Sequence, residues 1–111
     1  MTAVETPEAL ANLDEILLVD GLDGVFIGPM DLASSMGYFG DPSQVEVQVA
    51  IQGIETKVLD AGKVLATTTG SWEQARSLYS RGYQMLMLMA DGVSLAKLAN
   101  EIVSQFREEY P

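Results

Sequence analysis

The stretch GVFIGPMDL at residues 24–32 decides the fold prediction. Its first four residues are small or apolar without alternation, which is typical of a strand that is buried on both faces in a parallel sheet. The strand ends at Gly28-Pro29, and a short helical pattern follows over residues 30–36. The stretch therefore predicts one β/α unit.

The same order of strand and helix occurs four times along the chain. Apolar segments lie at residues 3–4, 24–27, 63–67 and 83–89, and helical patterns follow each of them. Continuous apolar strands between amphipathic helices predict an α/β fold with a parallel sheet covered by helices.

The helix starts are predicted from capping signals. Thr6-Pro7 begins the first helix, and the capping-box patterns SQVE at residues 43–46 and SWEQ at residues 71–74 begin two more. The last helix is predicted over residues 94–108. Its apolar residues are expected to face inward, as are several other large side chains: Leu95, Leu98, Ile102, Phe106, Trp72, Met85, Met87 and Met89.

The composition excludes several classes of function. The 111 residues include six Lys and Arg against sixteen Asp and Glu, a net charge of -10, which disfavours nucleic acid and anionic membranes as partners. The chain has no Cys and no His. Disulfides, thiolate chemistry and histidine bases are therefore excluded, and any metal site must be built from oxygen ligands.

The amino terminus has neither a basic stretch nor a long apolar run, so a signal peptide is not expected. The longest apolar run, residues 85–90, is too short to cross a membrane. A cytoplasmic protein is the expectation.

Two carboxylates follow consecutive strands at equivalent positions. Glu5 follows the first strand and Asp31 follows the second. Neighbouring strands lie about 4.8 Å apart, and two carboxylates that close suit a hard divalent cation such as Mg²⁺ or Mn²⁺. The alternative is structural: Glu5 is a carboxylate at a helix start and Asp31 caps the short helix.

Other residues at the predicted strand ends are less specific. Gly28 allows a ligand to approach the backbone, and Pro29 fixes the turn that follows; a simple strand-ending turn is the alternative. The threonines at residues 67–69 are candidate hydroxyl donors, although Thr is also common in strands. No lysine is expected near the site, because Lys63 begins its strand, so imine chemistry is disfavoured.

Several segments resemble the HpcH/HpaI aldolase family of the phosphoenolpyruvate/pyruvate barrel superfamily. The resemblance is carried by VETPEA at residues 4–9, LDEI at 13–16 and DGLDGVFIGPMDLA at 20–33, and continues to the last helix. It implies a TIM barrel of which this chain is the C-terminal half, so residues 1–111 are expected to form one partial domain with four β/α units. It also implies metal-dependent cleavage of 4-hydroxy-2-oxo acids to pyruvate and an aldehyde.

The resemblance assigns the metal to Glu5 and Asp31, with Mg²⁺, Mn²⁺ or Co²⁺ as the cofactor. It assigns the 2-oxo acid substrate, such as pyruvate, to the backbone of Gly28, Pro29, Met30 and Asp31. The family usually has Gln where this chain has Ala3, and Ala or Ser where it has Met30. The arginine and the histidine base of the family lie in the half that this chain lacks, so no catalytic residue is identified.

The resemblance therefore implies a class II aldolase that works as part of a complete barrel. Two alternatives stay open: a non-catalytic half-barrel or assembly module, and a citrate-lyase-like cleavage of an acyl thioester. An open half-barrel exposes strand edges and an inner face, for which Phe26, Leu65 and Leu86 are the predicted residues. A homo-oligomer, or a separate N-terminal half as partner, is expected.

Overall fold

A computed structural model describes all residues 1–111. Its elements, in chain order, are β1 (Thr2–Val4), α1 (Pro7–Ala11), α2 (Leu13–Leu17), β2 (Gly24–Ile27), α3 (Pro29–Ser35), α4 (Val45–Asp60), β3 (Val64–Thr68), α5 (Trp72–Ser80), β4 (Met85–Met87) and α6 (Asp91–Glu109). The strands form one parallel sheet in the order β1-β2-β3-β4. The predicted α/β fold with four β/α units is confirmed.

The register of the sheet assigns each side chain to one of two faces. Val4 lies opposite Ile27, and Ile27 lies opposite Thr67. Since side chains alternate along a strand, these residues share one face with Val25 and Leu65. Helix α4 packs on β2 and β3 and covers this face. All five of these side chains are at most 2% exposed, and this face forms the sheet's part of the core.

The opposite face carries Ala3, Phe26, Ala66 and Met85, which align across the four strands. Ala3 and Met85 are exposed and Phe26 is half-buried. The prediction that Leu65 and Leu86 belong to this open face with Phe26 is wrong. Leu65 is fully buried and Leu86 packs against the core, because both are one residue out of phase with Phe26 in the register.

Helix α6 extends away from the rest of the molecule. None of its 19 residues is buried, and its apolar residues Leu95, Leu98, Ile102 and Phe106 are 54–68% exposed. The prediction that they face inward is wrong. A helix of a β/α unit packs over its own strand and the next one, as α4 does, and the sheet ends at β4.

The longest dimension of the chain is 58 Å, and its radius of gyration is 16.5 Å. A compact domain of this length has a radius of gyration of roughly 13 Å. The predicted core positions Trp72, Met85, Met87 and Met89 are also wrong, since each is about half exposed or more. No helix is long and apolar enough to cross a membrane.

Two of the three predicted helix caps form. The hydroxyl oxygen of Thr6 accepts a hydrogen bond from the N–H of Ala9 at 3.1 Å, and Ser71 does the same for Gln74 at 3.1 Å. The capping box at residues 43–46 does not form. Ser43 instead donates its N–H and its hydroxyl to Asp41, and helix α4 begins without a side-chain cap.

A polar cluster joins α4 to the amino end of β4. Glu55 is only 8% exposed and accepts hydrogen bonds from the Tyr83 hydroxyl, at 2.6 Å, and from the Arg81 guanidinium. Burial, with the adjacent Glu55 carboxylate, raises the pKa of Tyr83. The cluster lies at the end of the sheet opposite to the candidate site and stabilises the packing there.

Candidate functional site

The carboxyl ends of the four parallel strands lie at one edge of the sheet. Glu5 follows β1, Gly28 follows β2, Thr69 follows β3 and Asp91 begins α6 four residues after the end of β4. Most functional sites of β/α barrels are built at this edge.

The side chain of Glu5 lies directly against the backbone of Gly28. A Cβ atom added to Gly28 would be 2.7 Å from Cγ and 2.9 Å from Cδ of Glu5, and its closest contact would be the carboxylate oxygen Oε1. The contact follows from the register, because Glu5 and Gly28 come directly after the paired residues Val4 and Ile27. Within the chain, the Glu5 carboxylate is the group that lies closest to Gly28, and the approach of a ligand to this backbone stays a prediction.

Asp31 lies in the first turn of α3. Gly28 is the N-cap of this helix and Pro29 its first residue, and the N–H of Leu32 closes the first turn on the Gly28 carbonyl at 2.9 Å. No side chain caps α3, so Asp31 is not the capping residue that the structural alternative required. The cap of α1 is Thr6, and Glu5 precedes it.

No positively charged side chain of the chain neutralises Glu5 or Asp31. The two ion pairs join Lys57 to Asp14 and Arg81 to Glu55. Lys63 donates to the carbonyl of Leu22 at 2.7 Å, at the opposite end of its strand. The edge also holds no group of three or more acidic or other metal-binding side chains. The chain therefore contributes at most two carboxylates to a cation, both free of protein counter-ions.

Met30 stands between Pro29 and Asp31 with its side chain 60% exposed. Its carbonyl accepts a hydrogen bond from the Ser34 hydroxyl at 2.9 Å. The loop after α3 returns to this point, since a Cβ on Gly40 would be 3.4 Å from the Ser34 hydroxyl oxygen and 4.0 Å from the Met30 carbonyl. The backbone of Met30 is thus supported, while its side chain borders the open edge.

The three threonine hydroxyls after β3 are engaged within the protein. Thr67 donates to the Ile27 carbonyl at 2.9 Å, and Thr68 donates to the Met87 carbonyl at 3.3 Å. The Thr69 hydroxyl lies 2.7 Å from the side-chain oxygen of Gln74. The sequence suggested them as substrate donors and missed the buried contact of Thr67. The sequence did offer one signal for this contact: Thr67 is a polar residue two positions after Leu65, and therefore on the same face of the strand.

The Glu5–Gly28 contact predicts a specific coupling between two substitutions. Gly28→Ala should lower the free energy of unfolding by about 1–3 kcal/mol, because the new methyl overlaps Glu5. In a Glu5→Ala background the overlapping atoms are gone, and the same change should cost little, since the φ of −97° at Gly28 suits alanine. Urea denaturation of the four proteins measures the coupling.

Gly53→Ala is the matched control, because an added Cβ there meets nothing within 4 Å. It should stabilise α4 by about 0.5–1 kcal/mol in either background. Equal costs of Gly28→Ala with and without the Glu5 side chain would contradict the observed contact.

Comparison with known proteins agrees with the resemblance. The model of the family described as HpcH/HpaI aldolase/citrate lyase matches residues 1–97. The hydroxypyruvate/pyruvate aldolase of Cupriavidus necator is 40% identical over 109 residues, which are 98% of this chain and 40% of that protein. The 4-hydroxy-2-oxo-heptane-1,7-dioate aldolase of Shigella sonnei is 37% identical over 106 residues, 96% of this chain and 40% of that protein.

Solved structures share the fold. An HpcH/HpaI aldolase from Desulfitobacterium hafniense superposes with a TM-score of 0.83 at 26% identity, over 96% of this chain and 41% of that one. The citrate synthase SbnG has a TM-score of 0.85 at 22% identity, over 96% and 44%, and this likeness concerns the fold alone.

The chain spans about 40% of the length of the curated relatives that it matches. The match to the family model covers 97 of its 111 residues. This chain belongs to the HpcH/HpaI aldolase/citrate lyase family.

Proposed function

We propose that this chain forms the metal-binding half of a class II aldolase, a carbon–carbon lyase that cleaves 4-hydroxy-2-oxo acids to pyruvate and an aldehyde. In this proposal residues 1–111 are one partial barrel domain that works within a complete barrel. The contact of the Glu5 carboxylate with Gly28, three residues before Asp31, carries the proposal.

The side chains of Glu5 and Asp31 fit a hard divalent cation. Both offer carboxylate oxygens, neither is paired with a protein cation, and no nitrogen or sulfur ligand from His or Cys is present in the chain. These features favour Mg²⁺, Mn²⁺ or Co²⁺, with the remaining positions filled by water and substrate. When bound, such an ion supplies Lewis-acid chemistry toward the carboxylate and keto oxygens of a 2-oxo acid.

The backbone that follows Gly28 is the proposed binding site for the carboxylate of the 2-oxo acid. The first N–H groups of a helix lack intrahelical acceptors, and in α3 these are the N–H groups of Met30 and Asp31, since Pro29 has none. An anionic substrate near two carboxylates is repelled without a cation, so substrate binding and metal binding should be coupled.

The chain supplies binding and orientation but no base for the aldol step. It has no histidine, and its Lys57 and Arg81 are already paired with acidic side chains. Proton transfer from the substrate hydroxyl therefore needs a base from outside these 111 residues. We accordingly expect the 111-residue chain alone to be a poor aldolase.

The leading alternative is a non-catalytic half-barrel or assembly module. The departures Ala3 and Met30 favour it, as does the amount of apolar surface left open on α6. A citrate-lyase-like cleavage of an acyl thioester ranks lower, because the relatives at 36–40% identity are aldolases by name.

The open surfaces support a homo-oligomer, or a separate N-terminal half, as the partner. On the uncovered sheet face Ala3 and Met85 are exposed and Phe26 is half-buried, while the small Ala66 between them is shielded. The apolar stripe of α6, formed by Leu95, Leu98, Ile102 and Phe106, is exposed along its length. We propose the cytoplasm as its location, and neither nucleic acid nor a membrane as its partner, given the net charge of -10.

The activity test uses oxaloacetate, whose decarboxylation yields pyruvate without removal of a hydroxyl proton. With Mn²⁺ the chain should accelerate decarboxylation above the rate with Mn²⁺ alone. Asp31→Asn and Glu5→Gln should remove most of that acceleration, because each deletes one carboxylate. Glu73→Gln, a change at an exposed acidic residue in the first turn of α5, is the matched control and should have no effect.

Aldol cleavage of a 4-hydroxy-2-oxo acid should be slower than in a complete aldolase by a factor on the order of 10²–10⁴, the usual contribution of a general base. Turnover that does not depend on metal would overturn the mechanism. Turnover as fast as a complete aldolase would show that the chain contains a base.

The apolar stripe of α6 should drive association of the chain. The chain should sediment as a dimer or larger species at micromolar concentration, because so large an apolar surface is rarely left in water. Ile102→Asn, in the middle of the stripe, should weaken association at least about tenfold, whereas Ser104→Asn on the polar side should not. A stable monomer at these concentrations would refute the prediction.

A further inference from the structure

A chain of hydrogen bonds runs across three strands and ends at the peptide that precedes the Glu5 side chain. The hydroxyl of Thr67 on β3 donates to the carbonyl of Ile27 on β2 at 2.9 Å. The same Ile27–Gly28 peptide donates its N–H to the carbonyl of Val4 on β1, with 3.5 Å between nitrogen and oxygen. That carbonyl belongs to the Val4–Glu5 peptide.

Packing alone does not require a hydroxyl group at position 67. Thr67 is 2% exposed and lies on the covered face beside apolar neighbours. Val has the same shape and would fill the position without a polar atom, whereas a buried hydroxyl costs free energy unless it is hydrogen-bonded. The bond to Ile27 satisfies it, so the hydroxyl acts on one particular peptide.

That peptide is held unequally on its two sides. Its N–H bond to Val4 is long, with 3.5 Å between nitrogen and oxygen, whereas its carbonyl lies in the ladder between β2 and β3, where the pairing of Ile27 with Thr67 places it opposite the N–H of Thr68. The Thr67 hydroxyl is a second donor to the same carbonyl. A donor on the Ile27 carbonyl polarises the peptide and strengthens the bond that its N–H makes. The tilt of the Ile27–Gly28 peptide also sets where the Gly28 Cα lies, and the Glu5 carboxylate rests against it.

We propose that Thr67 is a positioning residue for the site formed by Glu5, Gly28 and Asp31. Its hydroxyl fixes the Ile27–Gly28 peptide, and through it the position of the Glu5 carboxylate and the start of α3. The role of this site in metal binding rests on the proposed function.

The hydroxyls of the two neighbouring threonines contact groups other than the Ile27 carbonyl. Thr68 donates to Met87 on β4, on the side of the sheet away from Glu5, and Thr69 contacts Gln74 in α5. Thr68→Val is therefore a matched control: it removes a hydroxyl one residue away that makes no bond to Ile27 or Gly28, and it leaves the backbone N–H of Thr68 unchanged.

The test follows the backbone amide signals of the ¹⁵N-labelled chain by NMR during a titration with Mn²⁺. In the wild type, low Mn²⁺ should broaden the signals of Glu5, Gly28 and Asp31 first. Thr67→Val should require about tenfold more Mn²⁺ for the same broadening. Loss of a residue that orients metal ligands typically lowers metal affinity about 10–100-fold, and this is the lower end of that range. Thr67→Ser and Thr68→Val should behave like the wild type.

A second measurement, on the Gly28 amide, tests the role of Thr67 without metal. Without Mn²⁺, Thr67→Val should shift the Gly28 amide proton to higher field and speed its exchange with solvent, and Thr67→Ser should not. If the valine variant does not fold, Thr67→Ser against Thr67→Ala gives the same comparison, since both lack the methyl and differ by the hydroxyl alone.

An unchanged Gly28 amide and an unchanged Mn²⁺ titration in the hydroxyl-free variant would overturn the role of Thr67. Absence of broadening near Glu5 in the wild type would instead count against the proposed metal site, and the metal-free comparison would still decide the role of Thr67.

Discussion

The register of the parallel sheet determines which side chains meet at the carboxyl edge and which are buried. Val4 lies opposite Ile27, and Ile27 opposite Thr67, so the residues that follow β1 and β2 leave the sheet side by side. Glu5 then meets Gly28, where only a glycine leaves room for its side chain. A shift of one residue in either strand would turn Glu5 toward the helix-covered face and separate it from the start of α3.

The single chain completes the helix-covered side of this sheet but not the other side. Helix α4 buries the face that contains Val25 and Leu65, and the polar cluster around Glu55 ties α4 to β4. The face that contains Phe26 and Met85 has no covering element, and α6 finds no surface of its own chain to pack on. Both features follow from a sheet that has only four strands. The chain itself matches its curated relatives over about 40% of their length.

Much of this was predictable from the sequence, for identifiable reasons. The apolar runs and caps predict the strands and most helix starts, because burial and capping act over a few residues. The nearness of the segments that follow β1 and β2 follows from parallel topology, although Glu5 lies level with Gly28 and Asp31 comes three residues later, in α3. The exposure of α6 was not predictable. Its apolar residues have the spacing of a buried helix, and the sequence of the helix does not indicate whether a surface is present for it to pack on. Which face of the sheet Leu65 occupies, and which carbonyl the Thr67 hydroxyl reaches, depend on the register between strands. The sequence of a single strand does not encode that register.

We propose that Glu5 and Asp31 hold one divalent cation at the carboxyl edge of the sheet. The most direct test of this proposal is a crystal structure of the chain with Mn²⁺, using the anomalous scattering of manganese to locate the ion. We expect one strong peak with a carboxylate oxygen from each of the two residues at roughly 2.0–2.6 Å. Manganese bound only at other acidic groups, or the two carboxylates pointing to different sides of the sheet, would contradict it.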